Sequence, residues 1–111
     1  MNMLPLGLAA ALLATTSQAT IYQAADNSIA TRICMDAAAN KPARMLRTAD
    51  DISYGYSLIA NRISCNGLPI GRFAQAAGSD RVARQLLPRS HQRTWVEIHD
   101  IGAVIKVSGR L

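Results

Sequence analysis

Cysteine, histidine and arginine are the residue types of this 111-residue chain that offer chemistry at informative positions. Cys34 and Cys65 are its two cysteines. They do not form a Cys-x-x-Cys redox motif, and neither has a histidine at the spacing of a zinc site. In an oxidising compartment an even count favours a disulfide, and two cysteines leave one pairing. We therefore predict a structural disulfide between Cys34 and Cys65.

The two histidines, His91 and His99, are the candidates for acid–base or metal chemistry. His91 is expected in a loop and His99 on a strand, so no shared element brings them together. No serine lies in a Gly-x-Ser-x-Gly elbow, and the sequence has no glycine-rich phosphate loop. The sequence thus favours a non-enzymatic protein with no catalytic residue, metal or cofactor. A small hydrolase or toxin that uses either histidine is an alternative.

Basic residues outnumber acidic residues by 12 to 7, which gives a formal net charge of +5 at pH 7. This balance favours attraction to phosphate-rich surfaces or nucleic acid, although scattered arginines also keep a small protein soluble. Tyr54, Tyr56 and Trp95 are available to stack on bases. If the helices that carry the arginines share a face, that face would form an anion-binding site from Arg44, Arg47, Arg81, Arg84, Arg89 and Arg93.

The first 19 residues have the pattern of a signal peptide. An uncharged apolar run from Leu4 to Ala14 is followed by Ser17 and Ala19, small residues of the kind that a signal peptidase accepts. The run is about half of the roughly 20 residues that a membrane-spanning helix needs. We expect residues 20–111 to form the mature protein, without a transmembrane segment, in the periplasm or outside the cell.

Apolar residues recur at helical spacing in five short segments between residues 28 and 88. Four of these helices have recognisable limits: a capping residue or proline at the start, or a glycine or proline after the end. They are Ser28 as the N-cap of the first helix, Pro42 to about Thr48 for the second, Pro69 to Gly78 for the fourth, and a Ser79-Asp80 cap followed by Pro88 for the fifth.

The third helix is predicted from the clearest apolar stripe in the chain. Asp50 and Asp51 are expected to cap it, because negative charge favours the positive end of a helix dipole. Gly55 within it predicts close packing against a neighbour, since glycine otherwise weakens a helix. The stripe consists of Ile52, Tyr56, Ile59, Ala60 and Ile63.

Towards the C-terminus the pattern changes from helix to strand. Residues 89–94 are interpreted as a basic loop, and Gly102 and Gly109 as turn glycines. Alternation over residues 95–100 and the apolar run 103–107 predict a short β-hairpin, which Trp95 is expected to anchor on the helices. Before the first helix, residues 20–27 are expected to be a loosely ordered lead-in.

Two segments of the helical region resemble each other. Ala38–Leu46 matches Ala76–Leu86 if two residues are inserted, because in both a helix ends in small residues and a second helix carries Ala-Arg and then Leu. Repeat arrays need about three units, so two copies predict paired helical hairpins with only a weak likeness to ankyrin repeats. The predicted fold is mainly α: about five short helices, stapled by one disulfide, with a short C-terminal β-hairpin.

The chain is therefore divided into four sections. We expect a signal peptide over residues 1–19, a lead-in and the start of the first helix over 20–32, a disulfide-stapled helical domain over 33–88, and a basic loop with the β-hairpin over 89–111.

Three short motifs occur in the predicted helical domain: Ile33-Cys34, Asp36-Ala37-Ala38 and, about thirty residues later, Cys65-Asn66-Gly67 ahead of an apolar helix. This arrangement resembles the small exported bacterial proteins classed as domain of unknown function 3718. The resemblance covers Ile33 to Leu87. It implies a protein of the Gram-negative envelope and assigns no catalytic residue.

These observations favour a non-catalytic envelope protein that acts as a structural or protein-interaction domain, with another envelope protein as its partner. The alternative is an arginine-rich module that binds a polyanion, such as a phosphate-rich surface or nucleic acid.

We predict that export removes residues 1–19, because Ser17 and Ala19 provide the small residues before the cleaved bond. The intact mass of the protein recovered from export-competent cells should correspond to a chain that begins at Thr20. A mass that still includes residues 1–19 would contradict the signal-peptide interpretation.

Overall fold

Two helical hairpins, packed side by side, form the centre of the fold. A computed structural model describes residues 20–91 and 104–111 of the chain. Within these ranges no helix is long and apolar enough to cross a membrane. The elements are β1 (Ile21–Ala24), α1 (Ile29–Ala38), α2 (Pro42–Asp50), α3 (Tyr56–Arg62), β2 (Ser64–Cys65), β3 (Leu68–Pro69), α4 (Ile70–Ala76), α5 (Asp80–Leu86), a 3₁₀ turn (Leu87–Arg89), β4 (Val104–Val107) and β5 (Gly109–Arg110).

The predicted small, mainly α fold with five short helices is confirmed. α1 packs on α2 to form the first hairpin, and α4 packs on α5 to form the second. The hairpins meet through contacts of α1 with α4 and of α2 with α5. The two segments that resemble each other in sequence are therefore the turns and second helices of two neighbouring hairpins.

Local sequence sets the limits of α1. The Ser28 hydroxyl oxygen accepts a hydrogen bond from the Thr31 N–H at 3.2 Å, as expected for an N-cap. Beyond the C-terminal end, Asn40 has a φ of 61°, a left-handed conformation that asparagine tolerates better than most residues. These two residues fix where the helix begins and where the chain turns into α2.

The third helix begins later than the apolar stripe predicts. α2 extends to Asp50, so Asp50 and Asp51 lie at the end of a helix and do not cap α3. Ser53 has a φ of 59°, and the Tyr54 N–H donates to the Ala49 carbonyl oxygen at 3.1 Å. This tight turn separates α2 from α3, although its residues keep the apolar spacing of a helix.

Cys34 and Cys65 form the predicted disulfide, which joins α1 to β2. Both residues are completely buried. The disulfide joins residues 31 positions apart and so restricts the unfolded chain. The lost entropy of the unfolded state stabilises the folded protein by about 3.5 to 4 kcal/mol. The bond lies within an apolar core whose largest buried side chains include Ile33, Met45, Ile59, Ile70, Val82, Leu86 and Val107.

Two small sheets attach the C-terminal residues to the helices. β2 and β3 are antiparallel and are joined by Asn66-Gly67, whose φ angles of 52° and 80° suit this dipeptide. β5 pairs with the other side of β2, also antiparallel. β1 and β4 form a separate parallel pair in which Ile21 lies opposite Val104.

The lead-in differs from the loosely ordered segment expected from sequence, because its backbone pairs with β4 near the other end of the chain. The strand predicted over residues 103–107 is confirmed at Val104–Val107. Gly109, which the sequence predicts in a turn, lies instead in the short strand Gly109–Arg110. The other strand of the predicted hairpin, over residues 95–100, lies outside the described residues, as does its anchor Trp95.

β5 crosses α1 at a backbone distance that requires glycine. The Gly109 N–H donates to the Thr31 hydroxyl oxygen at 3.0 Å. A Cβ at Gly109 would lie 2.4 Å from the carbonyl carbon and oxygen of Ala30. Gly55, in contrast, is the N-cap of α3 and would have no atom within 4 Å of an added Cβ. The close approach expected at Gly55 occurs instead at Gly109.

We predict that Gly109→Ala lowers the free energy of unfolding by about 1 to 3 kcal/mol, because the new methyl group would have to displace backbone atoms. Gly55→Ala is the matched control and should cost less than about 1 kcal/mol. Urea unfolding followed by circular dichroism measures both values. Equal effects at the two positions would contradict the close approach of β5 to α1.

Candidate functional site: a basic trough between two helices

Two adjoining clefts open where α2 lies beside α5. The first has a volume of about 290 Å³ and the second about 220 Å³. They share Pro42 and Arg81, and we call the two together the basic trough. Its described lining consists of Lys41, Pro42, Ala43, Arg44, Arg47, Arg81, Arg84 and Gln85.

Hydrogen bonds between the two hairpin turns hold α2 and α5 in position. The Asn40 side-chain oxygen accepts from the N–H groups of Arg81 and Val82, at 2.8 and 3.2 Å. The Ser79 hydroxyl donates to the Ala38 carbonyl oxygen at 3.0 Å, and Ser79 is almost fully buried. These bonds join the turn of the first hairpin to the turn of the second. The N-terminal ends of α2 and α5, the two helices that carry the arginines, therefore cannot separate without breaking them.

The capping of α5 differs from the sequence prediction. Ser79 occupies the N-cap position but makes no side-chain hydrogen bond to the first turn of α5. Asn40 of the other hairpin provides that bond to Arg81 and Val82. The Ser79 hydroxyl donates instead to the Ala38 carbonyl oxygen. The hydrogen bond to the first turn of α5 therefore comes from Asn40, about forty positions earlier in the chain.

One arginine of the trough is held by an ion pair. The Arg44 Nε lies 3.2 Å from Asp36 Oδ1, and the other Asp36 oxygen accepts from the Thr48 hydroxyl at 2.7 Å. The Asp36 side chain is 13% exposed and that of Arg44 is 51% exposed. Asp36 therefore orients Arg44 from the buried side while half of the arginine surface stays accessible.

The other three arginines of the trough are exposed. Arg47, Arg81 and Arg84 have no carboxylate within ion-pair distance among residues 20–91 and 104–111. Asp80 begins α5 nearby but is in no such pair there. Arg44 and Arg47, like Arg81 and Arg84, are three positions apart on a helix, a spacing at which like charges repel. Among the residues that the structure describes, positive charge is thus concentrated between two helices.

The remaining predicted anion-binding arginines are not part of this cluster. The Arg89 guanidinium lies over the Tyr56 ring at 5.3 Å from its centroid, and its Nη1 donates to the Gln85 carbonyl oxygen at 2.6 Å. Tyr54 and Tyr56 pack against the core and do not line the trough. Arg93 lies outside the described residues. The structure thus brings four of the six arginines together.

His91 lies in a polar surface environment. Its backbone N–H donates to the Asn61 side-chain oxygen at 2.8 Å, while the Asn61 amide donates to the Arg89 carbonyl oxygen at 2.9 Å. These bonds fasten the chain after α5 to α3. His99 lies outside the described residues. In the part of the chain that the structure describes, no group of three His, Cys, Asp or Glu side chains could hold a metal ion.

A separate concavity, of about 400 Å³, lies between the β1–β4 pair and the helices. Its walls include Tyr22 and Phe73, whose rings meet edge to face with centroids 6.2 Å apart. Asn66 also lines it, but the Asn66 amide is engaged with the backbone of Lys106 and Ser108. None of the described lining residues is charged, so this cavity lacks the convergent ionic groups of the trough.

Sequence reasoning missed three residues that build the trough: Asn40, Asp36 and Lys41. Asn40 carries a signal in the internal resemblance, since it occupies the turn position that corresponds to Gly78, and both have positive φ. Asp36 and Lys41 have no such signal, because their roles depend on how α1, α2 and α5 are placed in space.

The fold and the trough define a small, disulfide-linked helical protein with a basic surface between two hairpins. Residues 33–101 match the family described as "Protein of unknown function (DUF3718)", and the chain belongs to this family. The search of curated proteins and the search of solved structures found no match.

We predict that Asn40→Gly lowers the free energy of unfolding by about 1 kcal/mol, because it removes the cap of α5 while glycine accepts the positive φ. Asn40→Asp keeps a side-chain oxygen acceptor and should retain most of the stability. Thermal unfolding of the two variants measures the difference. Equal stability of Asn40→Gly and the unchanged protein would contradict the role of Asn40 in joining the hairpins.

Proposed function

We propose that this protein is a non-catalytic, exported binding domain that attaches to a phosphate-rich polyanion through the basic trough. The carrying observation is the convergence of Lys41, Arg44, Arg47, Arg81 and Arg84 on adjoining clefts between two helices. Arginine presents a fork of N–H donors that matches phosphate oxygens, so such a cluster suits phosphate better than a single carboxylate.

The charge distribution supports a binding surface over a purely solubilising one. Placing like charges three residues apart on each helix destabilises the helices slightly. Asp36 and Thr48 hold the Arg44 side chain from behind, which reduces the side-chain entropy lost when an anion binds. An arrangement that only improved solubility would not need a positioned arginine.

Export is proposed from two further observations. The Cys34–Cys65 disulfide is buried and complete, and disulfides of this kind persist in oxidising compartments. Residues 1–19 have the composition of a signal peptide. We propose that the mature chain acts in the bacterial envelope or outside the cell, where phosphate-rich surfaces are its partners.

A protein partner remains the second candidate for the same surface. An acidic protein would satisfy Arg47, Arg81 and Arg84 as well, and the interaction would then be a charged protein–protein contact. Histidine-based hydrolysis is not proposed, because the contact seen at His91 among the described residues is made by its backbone N–H and gives the imidazole no catalytic partner.

We predict that the protein binds fluorescein-labelled oligothymidylate, used as a phosphate-rich probe, with strong salt dependence. If about four phosphates are neutralised, the affinity should fall about 50-fold between 50 and 200 mM salt. The triple variant Arg47→Gln, Arg81→Gln, Arg84→Gln should lose about 10-fold or more in affinity at low salt. Fluorescence anisotropy measures both effects.

The matched control is the triple variant Arg32→Gln, Arg62→Gln, Arg110→Gln, which removes the same charge from exposed positions outside the trough. It should retain most of the affinity. An equal loss in both triple variants would mean that net charge alone attracts the probe. Salt-independent binding of the probe would contradict the polyanion proposal. Binding of an acidic protein at the trough in place of the probe would favour the second candidate.

A further inference from the structure

We infer that the ligand of the basic trough is a linear chain of linked phosphates that lies across α2 and α5, with Arg81 as its central contact. This inference rests on the proposed function and specifies the anion. Arg81 lines both clefts, whereas Arg44 and Arg47 line only the first and Arg84 only the second. Arg81 is therefore the cationic residue that the two clefts share.

The division into two clefts favours linked phosphates over one isolated anion. A single orthophosphate would occupy the first cleft, which has more cationic residues than the second, and would leave Arg84 without a partner. A chain of linked phosphates can place one group in each cleft, and the second contact then forms within an already bound molecule. Affinity should accordingly rise with chain length until both clefts are filled.

The walls of the trough favour phosphate over nucleobase recognition. None of the described residues that line either cleft is aromatic, and the apolar lining is limited to Pro42 and Ala43. Stacking on an aromatic side chain is worth about 1 to 3 kcal/mol per base, so its absence from this lining removes the usual source of base affinity. The Tyr56 ring is covered by the Arg89 guanidinium and lies outside the trough.

The recognised chemistry is therefore two or more phosphates joined by anhydride bonds. Two sources supply it: a free polyphosphate chain, or a lipid with a diphosphate headgroup at a membrane surface. Binding involves no covalent step, because the trough contains no nucleophile or metal-ligand cluster among its described residues.

The test is isothermal titration calorimetry of the purified, oxidised protein with orthophosphate, pyrophosphate and tripolyphosphate at matched ionic strength. Tripolyphosphate should bind about 10-fold or more tightly than orthophosphate. Arg84→Gln should weaken tripolyphosphate binding while leaving orthophosphate binding unchanged, and Arg81→Gln should weaken both. Arg62→Gln, which alters an exposed arginine outside the trough, is the control and should change neither.

A second arm uses phosphatidylcholine vesicles that carry a lipid diphosphate, with undoped vesicles as the blank. Tighter binding to the doped vesicles than to tripolyphosphate identifies a headgroup as the source, and the reverse identifies a free chain; both support the inference. Equal affinity for orthophosphate and tripolyphosphate, with trough-dependent binding of oligothymidylate intact, overturns the inference and leaves the proposed function standing. Loss of all three interactions overturns both. Thermal unfolding verifies that each variant is folded.

Discussion

The Cys34–Cys65 disulfide is the constraint on which the rest of the structure depends. It joins the first helical hairpin to β2, and β2 is the strand that carries both β3 and the C-terminal β5. β5 in turn crosses α1 at Gly109, two residues after the end of β4, the strand that pairs with β1 in the other sheet. A chain of this size buries a limited apolar core, so a covalent link at its centre contributes a large share of the stability.

The two hairpin turns set the geometry of the basic trough. Asn40 accepts from the Arg81 N–H and Ser79 donates to the Ala38 carbonyl oxygen, and these hydrogen bonds between the hairpins set α2 beside α5. Neither helix would bind an anion well alone, because each offers only two arginines. Side by side they concentrate four arginines and Lys41 on two adjoining clefts, and the ion pair with Asp36 orients Arg44 before a ligand arrives.

The charged residues of the trough lie apart from the apolar core that stabilises the fold. The apolar core lies on the inner faces of the helices, while Arg47, Arg81 and Arg84 are exposed on the outside. Removing these charges should therefore leave the core intact. The arginine that packs against Tyr56, Arg89, belongs instead to the contacts that hold the end of α5 on α3.

The cysteine count determined the disulfide, because two cysteines leave one pairing. Local signals in the sequence determined four of the helix positions, because caps and apolar spacing act over a few residues. Such signals misplaced the start of α3, since a tight turn at Ser53 can keep helical apolar spacing. Tertiary structure alone decided the β1–β4 pair, the contact of Gly109 with Thr31 across 78 positions and the grouping of the trough arginines. These features depend on segments far apart in the chain, whose meeting is set by packing of the whole core and has no local pattern to reveal it.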